Sequence, residues 1–238
     1  MMRSHGLRLS ALVALLLLLS TAVFAQSTDR SQLVKEIDAL RAQLKEKEQM
    51  LLSPVREDRE AFGEALQQPG TGLVRLLPRG KYQLYVRGDG AYYSFTRLTH
   101  EYGYGSDIGL EQGMLQVGFA GADFGFLVRV GDVPIDSLSL DHPGAQFLSN
   151  FNTPSLETEA RGQQRRAGQG FEQDGFTYSN RVAASVNTTY LLRSVNYRES
   201  DVLVAFRVVR KDRDGSLILL WKMLRRFPAP QLAQNREQ

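Results

Sequence analysis

The stretch DVLVAFRVVRKDRDGSLILLWKMLRRF, residues 201–227, constrains the fold more than any other. Two runs rich in large and β-branched apolar residues flank Asp212-Arg213-Asp214-Gly215. An aspartate opening the turn and a glycine at its left-handed position predict a hairpin closed by a type I turn with a G1 bulge. On the second run Leu217, Leu219, Trp221 and Met223 fall on one face, and Ile218, Leu220 and Leu224 on the other. A strand apolar on both faces belongs at the centre of a sheet covered on both sides. This hairpin is therefore expected to be the backbone of the core.

A period of two recurs upstream. Tyr82, Leu84 and Val86 alternate with Lys81, Gln83 and Tyr85; Leu115, Val117 and Phe119 alternate with Met114, Gln116 and Gly118. Phe124, Phe126, Val128 and Val130 share a face opposite Gly125, Leu127 and Arg129. Such alternation marks half-buried strands, and Arg79-Gly80, Asp89-Gly90 and Gly121-Ala122-Asp123 separate them as turns. Between the strand regions, DHPGAQFLSNF predicts a short helix capped by Asp141 or His142 ahead of Pro143. The polar ETEARGQQRRAGQG is read as a solvated helix or a loop. The fold class is α+β: a mainly antiparallel β domain over residues 71–228 with one or two short helices in its middle. Residues 229–238 are expected to be a disordered tail.

The first 70 residues differ. Arg3 and Arg8 precede a continuous apolar run, Ala11 to Leu19, and Val23 and Ala25 supply small residues before Gln26. That order is a signal peptide over residues 1–25, cleaved after Ala25. The run is shorter than the ~20 residues a spanning helix needs, so no membrane span is expected once it is removed. The product is placed outside the cytoplasm, periplasmic or extracellular. Residues 26–70 are expected to be a helical arm. Leu33, Ile37, Leu40, Leu44 and Leu51 step by fours and threes, with Lys47 interrupting the series, and Ser27, Thr28 or Asp29 is in place to cap the start. The pattern fits a coiled coil, making residues 28–52 a candidate homo-oligomer contact. The alternatives are a helix packed on its own domain and a spacer. Ser53-Pro54 breaks this helix, and a second is expected over Val55 to Gln67.

Charge and composition exclude several functions. The formal net charge is +3, but without the signal segment 27 basic side chains face 26 acidic ones. No field for a nucleic-acid partner follows from that balance, and no aromatic residues interleave with the best basic cluster, Arg161, Arg165 and Arg166. The chain has no cysteine, which excludes disulfides, thiolate catalysis and zinc–thiolate sites. Gly103-Tyr104-Gly105 has Ile108 where a dinucleotide fingerprint needs its third glycine, and no P-loop or nucleophile elbow occurs. No cofactor is expected.

One segment, RLTHEYGYGSDIG over residues 97–109, concentrates polar chemistry. His100-Glu101 begins like a zinc-protease motif, but Tyr104 stands where the second histidine belongs. No metal site and no catalytic residue is assigned. The segment reads as a connection between strands in which Gly103 and Gly105 supply positive φ. Tyr92, Tyr93, Tyr102 and Tyr104, with His100, form the candidate ligand-binding set, because exposed rings can stack on sugars or peptides. The expected function is an exported, non-enzymatic binding or structural protein associated with the envelope. The alternatives are a carbohydrate- or envelope-binding module using the tyrosines, with a polysaccharide or protein partner, and a hydrolase built from His100, Glu101 and Asp107.

Overall fold

The computed structural model describes residues 30–86 and 90–233. The expected signal peptide, the cap at Ser27, Thr28 or Asp29, residues 87–89 and residues 234–238 lie outside the described residues. The chain divides into two compact units, Met1–Met50 and Leu51–Gln238. In the first, the expected arm is a continuous helix, α1, which covers residues 30–52. Good helix formers with no glycine or proline sustain it, and Ser53-Pro54 ends it.

The second unit opens with α2 (Arg56–Ala61) and α3 (Gly63–Leu66), which divide the expected single helix at Phe62. Phe62, Ala65 and Leu66 pack on the core of the β domain, so α2 and α3 lie in the same unit as the sheets. The chain then runs through β1 (Thr71–Leu76), α4 (Arg79–Tyr82), β2 (Tyr92–Tyr93), β3 (Ile108–Glu111), β4 (Met114–Gln116) and β5 (Phe124–Gly131). A 3-10 turn at Ile135–Ser137, α5 (Pro143–Asn150) and α6 (Glu157–Gln169) follow. The last strands are β6 (Phe171–Gln173), β7 (Phe176–Ser179), β8 (Arg181–Ala183), β9 (Thr188–Asn196), β10 (Ser200–Lys211) and β11 (Leu217–Phe227).

Among the described residues every pairing is antiparallel. One sheet has seven strands in the order β1-β11-β10-β9-β5-β7-β6, and the other has four in the order β2-β3-β4-β8. The predicted β10–β11 hairpin forms with its predicted turn: Gly215 donates to the Asp212 carbonyl, Asp212 donates to the Ser216 carbonyl, and Gly215 has φ +94°.

The two-faced apolar pattern of β9 to β11 now has its cause. One face carries Tyr190, Leu192, Val204, Phe206, Leu219 and Trp221, packed with Tyr93, Phe95, Ile108 and Leu115 of the small sheet region. The other carries Leu191, Val195, Leu203, Ala205 and Leu220, packed with Ala145 and Leu148 of α5 and Ala160 and Ala167 of α6. The domain is thus a sheet, a sheet and a helical layer. At ~25 cal/mol per Å² of apolar surface removed from water, such double coverage is the main stabilising contribution. The polar α6 is a helix rather than a loop because its two buried alanines give it a flat contact face. His142 caps α5, its Nδ1 accepting from the Gly144 N–H at 3.1 Å.

Three expectations change. Residues 81–86 are not a strand: the Pro78 carbonyl accepts from Lys81 and Tyr82 and winds one helical turn, and Leu84 and Tyr85 are exposed, with no core to face. The strand expected through Phe119 stops at Gln116, because Gly118 adopts φ +83° against the backbone of Phe124. The tail is held as far as Ala233: Pro230 accepts from Arg198, Ala233 donates to Ser155, and Leu232 packs on the helical-side core.

Candidate functional site

The five candidate ligand-binding residues do not make one surface. Tyr92 and Tyr93 are adjacent on β2 and both buried. Tyr93 points into the inter-sheet core, 5.4 Å from the Phe95 ring, and burial pushes its hydroxyl up to about 12, with the nearby Asp107 charge adding to the effect. Tyr92 meets Phe119 at 4.9 Å and Tyr102 at 4.7 Å, both edge to face. The Arg79 guanidinium lies over both of these tyrosines, 5.6 Å from the Tyr92 ring and 5.2 Å from the Tyr102 ring. His100 rests edge-on against Tyr93 at 5.2 Å, and its Nε2–H donates to the Arg75 carbonyl at 2.8 Å. Burial lowers the pKa of this imidazole and the carbonyl bond partly offsets that, so it stays neutral and fixed in one tautomer. Only Tyr102 and Tyr104 of the set turn outward, 51% and 65% exposed.

The hydrolase constellation is not brought together. Glu101 pairs with Arg97 at 3.6 Å, and its backbone carbonyl takes the Ser106 hydroxyl. Asp107 is fully buried and turns elsewhere: it accepts from the Phe95 N–H at 2.7 Å and from the Asn196 side-chain amide at 2.8 Å. Among the described residues no hydrogen bond or ion pair joins His100 to Glu101 or Asp107. Gly103 and Gly105 take the expected positive φ, +107° and +81°. The segment is a strand connection in its geometry.

The densest buried polar chemistry lies at the β9–β10 turn, which the sequence did not mark as a site. Asp107 holds this turn on one side through Asn196, with Ser200 at 3.5 Å. Asp123 holds it on the other, accepting from the Tyr197 N–H at 2.8 Å. Burial pushes the Asp107 carboxyl up to about 6 despite bonds from Ser194, Phe95 and Asn196 that favour its charged form. Burial likewise raises Asp123 to about 6, with the Tyr197 bond opposing and the Glu199 charge adding. Below the turn Arg193 makes a bidentate pair with Asp201, both bonds 2.9 Å and both side chains 2% exposed. Its remaining donors reach the Leu148 carbonyl at 2.5 Å, the Phe151 carbonyl at 2.9 Å and Thr153 at 3.2 Å, and its plane lies 3.7 Å from the Phe227 ring centre. The signal for it was present: an arginine inside the apolar run TYLLRSV, with an aspartate opening the next strand. The cluster is buried and bonded to the domain's own backbone and side chains, which fixes the turn; one Asp123 oxygen and the Asn196 amide oxygen have no hydrogen-bond partner.

At the other end of the large sheet a second network runs Asp58–Arg210–Asp212–Arg75–Asp214 and ends on the Tyr82 hydroxyl. It ties α2 and α4 to the β10–β11 turn. A cleft of 460 Å³ opens beside α2 and α3, with Phe62, Ala65, Ile135 and Leu220 in its apolar part and Glu64 and Arg207 among its polar groups. Arg207 is engaged there with Asp132 at 2.6 Å and Thr189 at 3.2 Å. Among the described residues no three histidine or acidic side chains converge as metal ligands, and no helix is long and apolar enough to cross a membrane.

A row of exposed apolar side chains lies on α1. Leu33, Ile37, Leu40 and Leu44 are 45–63% exposed, and Val34 and Met50 flank them in the same state. Exposed leucines scattered singly are ordinary, whereas these fall in a row on one helix face. Comparison with protein-family models, with curated proteins and with solved structures finds no match.

Proposed function

We propose that this chain is an exported, non-enzymatic binding or structural protein of the envelope, and that α1 is the surface through which it associates. One observation carries the reading: a helix of 23 residues (30–52) displays a row of leucine and isoleucine to solvent. Two others support it. Three of the polar side chains with perturbed protonation, His100, Asp107 and Asp123, are each bonded to the domain's own backbone. The N-terminal order of basic, apolar and small residues directs the chain out of the cytoplasm.

Light scattering on the processed chain, with and without residues 26–50, tests the proposal. The parent is expected to run at a multiple of its chain mass and the deletion at a single chain mass. Stopping at residue 50 keeps the Leu51 carbonyl that receives Arg75, so the deleted form should retain the parent's β-sheet circular dichroism. A parent that is monomeric at high micromolar concentration would remove the association claim.

A further inference from the structure

We infer that α1 pairs with α1 of a second copy of this chain as a parallel, in-register, two-stranded coiled coil. The inference rests on the association reading above and names its partner and geometry. The apolar row fixes the heptad frame: Arg30, Ile37, Leu44 and Leu51 occupy position a, and Leu33, Leu40 and Lys47 occupy position d. At the layers around Ile37, a β-branched residue at a between leucines at d (Leu33 and Leu40) is the combination that favours two parallel strands.

The flanking charges choose the orientation. In the parallel register Glu36, at position g, faces Arg41 of the other copy, at position e, and symmetry makes that pair twice. Arg41 lies 3.4 Å from Asp38 of its own helix with its side chain 74% exposed. A guanidinium has five donors, so one exposed carboxylate partner leaves capacity for a second. The antiparallel registers lose this pair. Full antiparallel overlap turns Glu36 toward Gln43; the basic layers at Arg30 and Lys47 are like-charged in either orientation and do not choose between them. A shift of one heptad sets Arg41 against Arg41, and the opposite shift sets Glu36 against Glu36. Like charges at such positions are destabilising.

A lipid surface fits the same helix less well. Interfacial helices carry a lysine- and arginine-rich polar face with aromatic anchors, whereas residues 30–52 hold five basic and four acidic side chains and no aromatic. Lys47 is a weak layer of the proposed seam. It stands beside Glu48 and keeps the association reversible, so Lys47→Leu should tighten it.

The absence of cysteine makes the test direct, since a single introduced thiol is unique. Leu33→Cys and Leu44→Cys are each made in the processed full chain and equilibrated in a glutathione buffer. Parallel pairing predicts that each variant alone closes a disulfide with its own copy. Crosslinking only when the two variants are mixed would overturn the parallel geometry while leaving self-association intact. The charge test leaves the seam untouched: Arg41→Glu should weaken association about tenfold, and adding Glu36→Arg should restore it. No change in either, or a monomeric chain that floats with phosphatidylglycerol vesicles, would also overturn the inference. A chain monomeric under all conditions would remove the association reading itself.

Discussion

Asp123 holds the Tyr197 N–H with one oxygen while its other oxygen has no hydrogen-bond partner. Its pKa rises from the ordinary 3.8 to about 6, so the folded chain takes up a proton that the unfolded chain still releases. Between about pH 4 and 6 the native state holds more protons, and stability rises as pH falls through that window. Above it the fold carries a buried charge. Asp107 acts in the same sense. His100 acts in the opposite one, because its lowered pKa makes acid unfavourable to the fold below 6.5. Asp123→Asn keeps an acceptor for Tyr197 and removes the charge. It should stabilise the domain at pH 7.5 by on the order of 2 kcal/mol and flatten the gain between pH 7.5 and 5. Calorimetric melts at the two pH values check this, and parallel slopes for parent and variant would contradict it. Arg193→Ala has the other sign. It leaves Asp201 buried without its counter-charge and orphans the Leu148 and Phe151 carbonyls. A loss of about 3–5 kcal/mol in urea unfolding is expected.

Strand β5 shows how an element depends on what a residue lacks. A methyl at Gly125 would press into the Arg193 carbonyl oxygen and lie 2.5 Å from a Val117 methyl. Both neighbours are fixed, one by strand pairing and one by the inter-sheet core. Gly125→Ala should therefore lose about 1–3 kcal/mol through overpacking. Gly63→Ala, in α3 with open space around it, should be neutral or better by up to ~1 kcal/mol. Thermal melts of the two variants compare them directly. The same elements show what their own residues announced. The β10–β11 hairpin was legible because a turn signal and two apolar runs are contiguous. Residues 81–86 misled, because their alternation is real but Pro78 winds the chain and no partner strand faces Leu84. The four strands of the small sheet hold two to four residues each, too few for a period to show.

For the whole molecule, sequence reasoning found that the central strands are covered on both faces but not by what. The covering helix α6 docks through Ala160 and Ala167, two small residues in a polar run. The helix α1, by contrast, was readable from its own residues, since an unbroken run of good helix formers is a local signal. The polar cluster at the β9–β10 turn was not: Asp107, Asp123, Asn196 and Ser200 come from segments that only the fold brings together. Tyr92 and Tyr93 were grouped with Tyr102 and Tyr104 on adjacency; Tyr92 does meet Tyr102, but the β2 pair is buried while Tyr102 and Tyr104 are exposed.

Edge strand β1, at residues 71–76, finds its hydrogen-bonding neighbour in residues 217–222 of β11. A chain delivered amino end first, from a ribosome or through a pore, thus carries an unmatched edge for some 140 residues. Separations of that span slow folding and expose intermediates to aggregation. The β1 edge cannot pair until the last strand has emerged, so closure of the large sheet waits for the end of the chain.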